Sequence, residues 1–233
     1  KTAYISVDFH QMGDFDPYIY KTTDYGKSWK KISADIPKSF SSFVHVVKED
    51  PKQEGVLYAG TDNSVYVSVD GGEYWTKINN NLPPAPVYWI TIQEHFDDMV
   101  IGTYGRGIYI LDDISPFREM ANSNQNEVNF MPIQDAYRFQ QIQSMKNDGT
   151  SLIRGQNPSY GANIDFFLPD TNSQEVTISI QDLSGNVIRN IDPRKITAGV
   201  NRIMWDLRYK RTNTPKLRVN PDGVDWVTYN DDG

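Results

Sequence analysis

The sequence predicts an all-β chain: a partial β-propeller of about three blades, followed by an immunoglobulin-like β-sandwich. Three observations carry the prediction. A pattern of Ser or Thr, then Asp, Gly and Trp at the third, fifth and eighth positions, occurs at Thr22, Asp24, Gly26 and Trp29 and again at Ser68, Asp70, Gly72 and Trp75. Asp24 and Asp70 stand 46 residues apart, about the length of one four-stranded propeller blade. Beyond the repeats, apolar runs return at hairpin spacing, as in a small sandwich.

The pattern has a physical reason. In a tight turn between antiparallel strands an Asp side chain accepts backbone amides across the loop, Gly takes a conformation other residues resist, and the Trp ring packs under the turn. Asp24 and Asp70 are therefore read as turn-forming residues. Around the second copy, Val44 to Val47, Val56 to Gly60, Val65 to Val69 and Trp75 to Ile78 are rich in β-branched and aromatic residues and read as four strands. In the first copy, Ala3 to Val7 aligns with the second of these, Tyr18 to Thr22 with the third and Trp29 to Ile32 with the fourth. A third copy follows at an offset of 42 residues: Gly60-Thr61 maps to Gly102-Thr103 and Asp70 to Asp112, but Gly72 becomes Ile114 and Trp75 becomes Phe117. Propellers close as rings, usually of four or more blades, and unpaired sheet edges invite aggregation. Residues 1–115 are accordingly expected to be the C-terminal blades of a ring completed by the rest of a longer polypeptide.

From about Ser115 to Asn157 the pattern changes. Polar residues cluster from Asn122 to Glu127, Phe130 to Phe139 reads as a packed connector and Lys146 to Thr150 as a turn, which assigns residues 116–157 to a linker. Residues 158–233 read as an incomplete sandwich. Its strands are Ala162 to Leu168, Val176 to Ile180, Val187 to Ile191 and Val200 to Leu207, with a hairpin turn at Leu183-Ser184-Gly185-Asn186 and Trp205 as core anchor.

Composition narrows the function. An apolar content of 38%, with 16 Gly, 13 Pro and 14 Tyr, fits a turn-rich β protein. No run approaches the roughly 18 apolar residues of a membrane helix. The net charge of −7 argues against a nucleic-acid surface. The absence of cysteine excludes disulfides, thiolate metal sites and cysteine nucleophiles within this chain. There is no Gly-rich phosphate loop, HExxH or GxSxG, so nucleotide, zinc-protease and serine-hydrolase readings have no local support. The acids of Tyr229 to Gly233 lack the rest of a calcium loop; no metal or cofactor is expected.

Three stretches resemble the C-terminal part of bacterial sortilin-like propeller proteins: Tyr18 to Trp29, Gly102-Thr103-Tyr104-Gly105-Arg106-Gly107 with Ile110 to Asp113, and Trp205 to Tyr209. The repeated turn resembles the Asp-box, or BNR repeat, of sialidases, xyloglucan hydrolases and sortilin-type propellers. The resemblance covers nearly the whole chain. It implies a large protein that is extracellular or displayed at the cell surface, from a family often labelled glycosyl hydrolase, with the Asp-box as a structural clip between the third and fourth strands.

In an up-and-down blade, the loop after strand two and the loop leaving strand four lie opposite the Asp turn. The ligand face should therefore carry His10 to Asp16, Ser33 to Phe43, Thr61 to Ser64, Asn79 to Pro86 and Thr103 to Gly107. Tyr4 to Asp24 spans 20 positions where Tyr58 to Asp70 spans 12, so the first copy holds eight additional residues, among them His10, Asp14 and Asp16. The candidate binding residues are His10, Asp14, Asp16, Tyr104 and Arg106. Asp14 and Asp16 either turn and solvate their loop or touch a ligand. His10 has no partner at metal-ligand spacing. Arg106, between two glycines, either forks onto a ligand carboxylate or pairs with an acid of a neighbouring blade. Trp89, at the start of the innermost strand of the third blade, reads as core.

Two functions fit. The first is a scaffold that binds a protein, peptide or glycan partner, with the sandwich as spacer or docking module. The alternative is a glycoside hydrolase with paired carboxylates, one of them Asp14 or Asp16. No arginine triad of the sialidase kind is recognisable, and binding needs fewer residues than catalysis, so the scaffold is preferred.

Overall fold

A computed structural model describes residues 1–78, 81–137, 158–170, 176–193 and 195–210. These residues form an all-β protein of several small antiparallel sheets, none of them closed. The first sheet holds β1 (Ala3–Phe9), β2 (Asp14–Thr22) and β3 (Lys30–Lys31). The second holds β4 (Val44–Glu49), β5 (Leu57–Thr61), β6 (Val65–Ser68) and β7 (Thr76–Lys77). The third holds β8 (Val87–Gln93), β9 (Asp98–Thr103) and β10 (Ile108–Leu111). In each, sequential strands are neighbours, as short connections dictate.

The additional residues of the first copy do not make an irregular loop. They lengthen the β1–β2 hairpin, which turns through a 3-10 segment at His10–Met12 with Gly13 at φ 79°. Asp14 and Asp16 thus lie on strand β2. The extension is held by cross-strand aromatic contact, since Phe9 pairs with Asp14 and meets Tyr18 edge-on at 5.6 Å.

The two Asp turns are built alike. The hydroxyl of Thr22 donates to Asp24 at 2.8 Å and accepts the Gly26 N–H at 2.9 Å; Ser68 donates to Asp70 at 2.7 Å and accepts the Gly72 N–H at 2.9 Å. Asp24 then accepts the Ser28 N–H, and Asp70 those of Glu73 and Tyr74. The tryptophans differ. Trp75 is 5% exposed and donates its indole N–H to the Ile32 carbonyl of the first sheet, whereas Trp29, at the equivalent position, is 41% exposed.

The second sheet is covered on both faces. One buries Val44, Leu57, Ala59 and Tyr66 against Ile19, Ile32 and Ile36 of the first sheet and its following loop. The other buries Val56, Tyr58, Val65 and Val67 against Val87, Ile90, Met99 and Ile101 of the third. All five residues of β5 are consequently buried, the mark of a strand packed on both sides. The first and third sheets turn one face away from this core. In the third, Trp89 pairs with Gly102 and Gly102 with Ile108, and Trp89, Ile108 and Ile110 are exposed. Trp89, 66% exposed, is therefore not a core residue among the described contacts, because the adjacent β8 residue Ile90 takes the inward side.

The stretch assigned to a linker begins with a helix, α1 (Ser115–Asn122). Its Phe117 meets Tyr58 at 6.1 Å, and its Arg118 reaches Asp50 and Asp97, both at 2.9 Å. In the third copy, Asp113 rather than Asp112 organises the backbone: at φ 54° it accepts both the N–H and the hydroxyl of Ser115. The Asp112 carboxyl is pushed up by burial and by nearby Asp98.

Farther along, β11 (Asn129–Phe130), β12 (Ala162–Leu168) and β15 (Gly199–Trp205) make one sheet, and β13 (Ile178–Gln181) and β14 (Val187–Ile191) a hairpin. Asp182 fixes the hairpin turn by accepting the N–H groups of Ser184 and Asn186. Trp205 is only half-buried at the end of β15; Ile164, Phe166, Phe167 and Leu168 of β12 are buried in its place. Arg202 of β15 grips Asp165 through two nitrogens and the Asp112 and Asp113 carbonyls, fastening this sheet to the end of β10. The turn expected at Lys146 to Thr150 and the acidic tail at Tyr229 to Gly233 lie outside the described residues.

Candidate functional site

Each of the first three sheets has a break in register, and the breaks are at the same end. In the second and third sheets one residue is extra on the first strand: His45 between Val44 and Val46 of β4, and Tyr88 between Val87 and Trp89 of β8. In the first sheet the extra residues are on β2, where Phe15, Asp16 and Pro17 lie opposite the single β1 residue Asp8. A bulge leaves one residue outside the ladder and re-aims its side chain. Here the side chains of the two bulge residues meet with that of Asp8. His45 Nδ1 lies 3.7 Å from Asp8 Oδ2, and the His45 ring stacks on Tyr88 with centroids 4.2 Å apart and planes 20° apart.

Further groups complete the cluster. His45 Nε2 lies 3.2 Å from Asp62 Oδ1, so the imidazole sits between two carboxylates with its side chain 6% exposed. Asp8 Oδ1 accepts the His10 N–H at 2.9 Å and lies 2.6 Å from His10 Nδ1. The His10 ring stacks on Phe43 at 4.6 Å, Phe43 meets His45 edge-on at 5.1 Å, and Tyr88 meets Tyr104 at 5.8 Å. A continuous series of rings thus runs from the first sheet to the third. The second and third sheets present it in the same way: the Asp62 N–H donates to the Phe43 carbonyl, and the Tyr104 N–H to the Pro86 carbonyl.

The sequence-predicted residues divide into two groups. His10 and Tyr104 belong to the cluster. Arg106 follows Tyr104 on the exposed β9–β10 turn, which is closed by Thr103 on the Gly107 carbonyl, and it forms no ion pair among the described residues. Asp14 and Asp16 stand apart from the ring series. Asp14 accepts the Tyr18 hydroxyl at 2.7 Å and the Asp16 N–H at 3.0 Å, and Asp16 pairs with Lys38. The Tyr18 hydrogen bond holds the Asp14 carboxyl below its usual range, and Tyr18 in turn is pushed up to about 12. A general acid of a glycosidase needs the opposite shift.

Sequence reasoning passed over Asp8 and His45, put Asp62 on the ligand face only as part of Thr61 to Ser64, and placed Tyr88 only at a strand start. One signal was available: Phe43-Val44-His45 aligns with Pro86-Val87-Tyr88 in the repeat, and Asp62 with Tyr104. Among the described residues no three His, Asp or Glu side chains are arranged to hold a metal ion. No helix among them is long and apolar enough to cross a membrane. No protein-family model matches the chain, and no curated protein matches it.

Proposed function

We propose that the chain forms consecutive blades of a sortilin-like Asp-box β-propeller, followed by an immunoglobulin-like sandwich that serves as spacer. It acts outside the cell or at its surface as a scaffold that binds a protein, peptide or glycan partner. The binding end is the one opposite the Asp turns. The observation that carries this reading is the meeting of Asp8 with the bulge residues His45 and Tyr88, because three separate sheets bring side chains to one place where their regular pairing breaks.

The propeller part rests on packing. The Trp75 turn seals against the preceding sheet through Ile32, whereas the Trp29 turn leaves the same indole 41% exposed. Ile5 and Phe9 on the first sheet, and Trp89, Ile108 and Ile110 on the third, add exposed apolar surface at both ends of the stack. Such faces call for further sheets of the same kind.

The test is ligand capture by the full polypeptide from peptide and oligosaccharide panels. His45→Ala should abolish capture, and Asp24→Asn, at the opposite end, should leave it intact. Capture that survives His45→Ala with an unchanged melting temperature moves the binding surface elsewhere.

A further inference from the structure

We infer that the cluster takes a neutral saccharide, one pyranose stacking on Tyr88 and Tyr104 while Asp62 and Arg106 hold its hydroxyls. The inference rests on the binding end proposed above and names its ligand. Tyr88 is 52% exposed and Tyr104 74% exposed, yet their positions are set from behind. His45 backs the Tyr88 ring and is itself held between Asp62 and Asp8. The Tyr104 backbone is fixed on the Pro86 carbonyl. An exposed aromatic surface ordered before binding loses little freedom when a ligand lands on it.

The polar groups around the rings have both signs. Asp62 is part-exposed and uses one oxygen on His45; the other makes no hydrogen bond among the described residues. Arg106 brings a guanidinium two positions along the turn from Tyr104. The two tyrosine hydroxyls make no hydrogen bonds among the described residues and both donate and accept. A pyranose is the complementary object, with an apolar C–H face and a rim of hydroxyls that act as donors and acceptors.

Other ligand chemistries fit less well. An ammonium or guanidinium held by aromatic faces needs rings set apart as walls. Tyr88 and Tyr104 instead touch, with centroids 5.8 Å apart and planes 42° apart, and form one surface. An extended peptide adding to a sheet needs free backbone groups. At this end the Asp62 N–H and Phe43 carbonyl, and the Tyr104 N–H and Pro86 carbonyl, already satisfy one another.

The experiment titrates the full polypeptide with neutral gluco-, galacto-, manno- and xylo-oligosaccharides and, in parallel, with cationic and neutral peptides, followed by calorimetry. The expected result is saccharide binding that weakens about tenfold in Tyr88→Ala and in Tyr104→Ala and stays within about threefold in Tyr88→Phe, which keeps the ring. Should Tyr88→Ala lower the melting temperature, Tyr104→Ala on the more exposed ring carries the test. Peptide binding that depends on Tyr88, with no saccharide bound, overturns the saccharide and leaves the binding end standing. Saccharide bound equally by wild type and both alanine variants overturns the inference, and no capture from either panel overturns the binding end as well.

Discussion

Gly26 and Gly72 adopt φ of 83° and 96°, and each gives its N–H to the hydroxyl four residues back. Their surroundings differ. A Cβ on Gly72 would sit 2.5 Å from Ile32 Cδ1, whereas on Gly26 the nearest atom is the Trp29 ring at 3.7 Å. Gly26→Ala should cost about 1 kcal/mol, from the left-handed backbone alone. Gly72→Ala should cost about 3 kcal/mol, because overpacking against Ile32 is added. Denaturant melts of the two variants decide this, and equal losses would refute the packing difference. Asp24 adds a pH dependence. Its carboxyl is held down at about 2, chiefly by the Ser28 hydroxyl, then by the Ser28 N–H and Thr22. The folded value lies below the unfolded one, so the turn's contribution is complete above about pH 4 and fades as pH falls through about 2. Asp24→Asn should therefore lower the melting temperature at neutral pH, with the difference from wild type shrinking toward pH 2.

At the scale of elements, α1 acts as a pin. Arg118 enters a site where Asp50 and Asp97 are buried, and Lys52 also reaches Asp97 and Tyr58 also reaches Asp50. The Tyr58 hydroxyl is raised by burial first and by Asp50 second. Removing the guanidinium leaves two buried carboxylates short of countercharge, so Arg118→Met should cost about 3 kcal/mol. Equilibrium denaturation measures the loss. The helix was not legible in the sequence as a structural part, because its role depends on acids 68 residues earlier at Asp50 and 21 earlier at Asp97. The β13–β14 hairpin was legible, since Asp182 and Gly185 act within their own turn.

For the whole molecule, the exposed end faces set solubility. Residues 1–115 alone would lose Arg118 and keep both apolar faces, and should be poorly soluble or fail to melt cooperatively, by calorimetry and light scattering. On the propeller arrangement proposed above, in which another sheet covers β10, Ile108→Lys with Ile110→Lys should improve solubility of the 233-residue chain yet destabilise the longer polypeptide. Improvement in both settings would mean that this face stays in water.

The sequence by itself determined the repeated turn, the hairpins and the strand order, because their hydrogen bonds close within a few residues: Thr22 to Gly26, Ser68 to Gly72, Asp182 to Asn186. It also put His10, Tyr104 and Arg106 at the same end of the sheets. Only the tertiary structure decided which aromatic residues are buried. Trp75 is covered because Ile32 of another sheet lies over it, while Trp29 and Trp89 have no such neighbour described and Trp205 is covered only in part. The meeting of Asp8, His45 and Tyr88 was likewise decided in three dimensions. At His45 and Tyr88 a bulge shifts the side chain by one register position, and at Asp8 the extra residues are on the partner strand; each shift depends on the pairing and on the sheet packed beside it rather than on the residue itself.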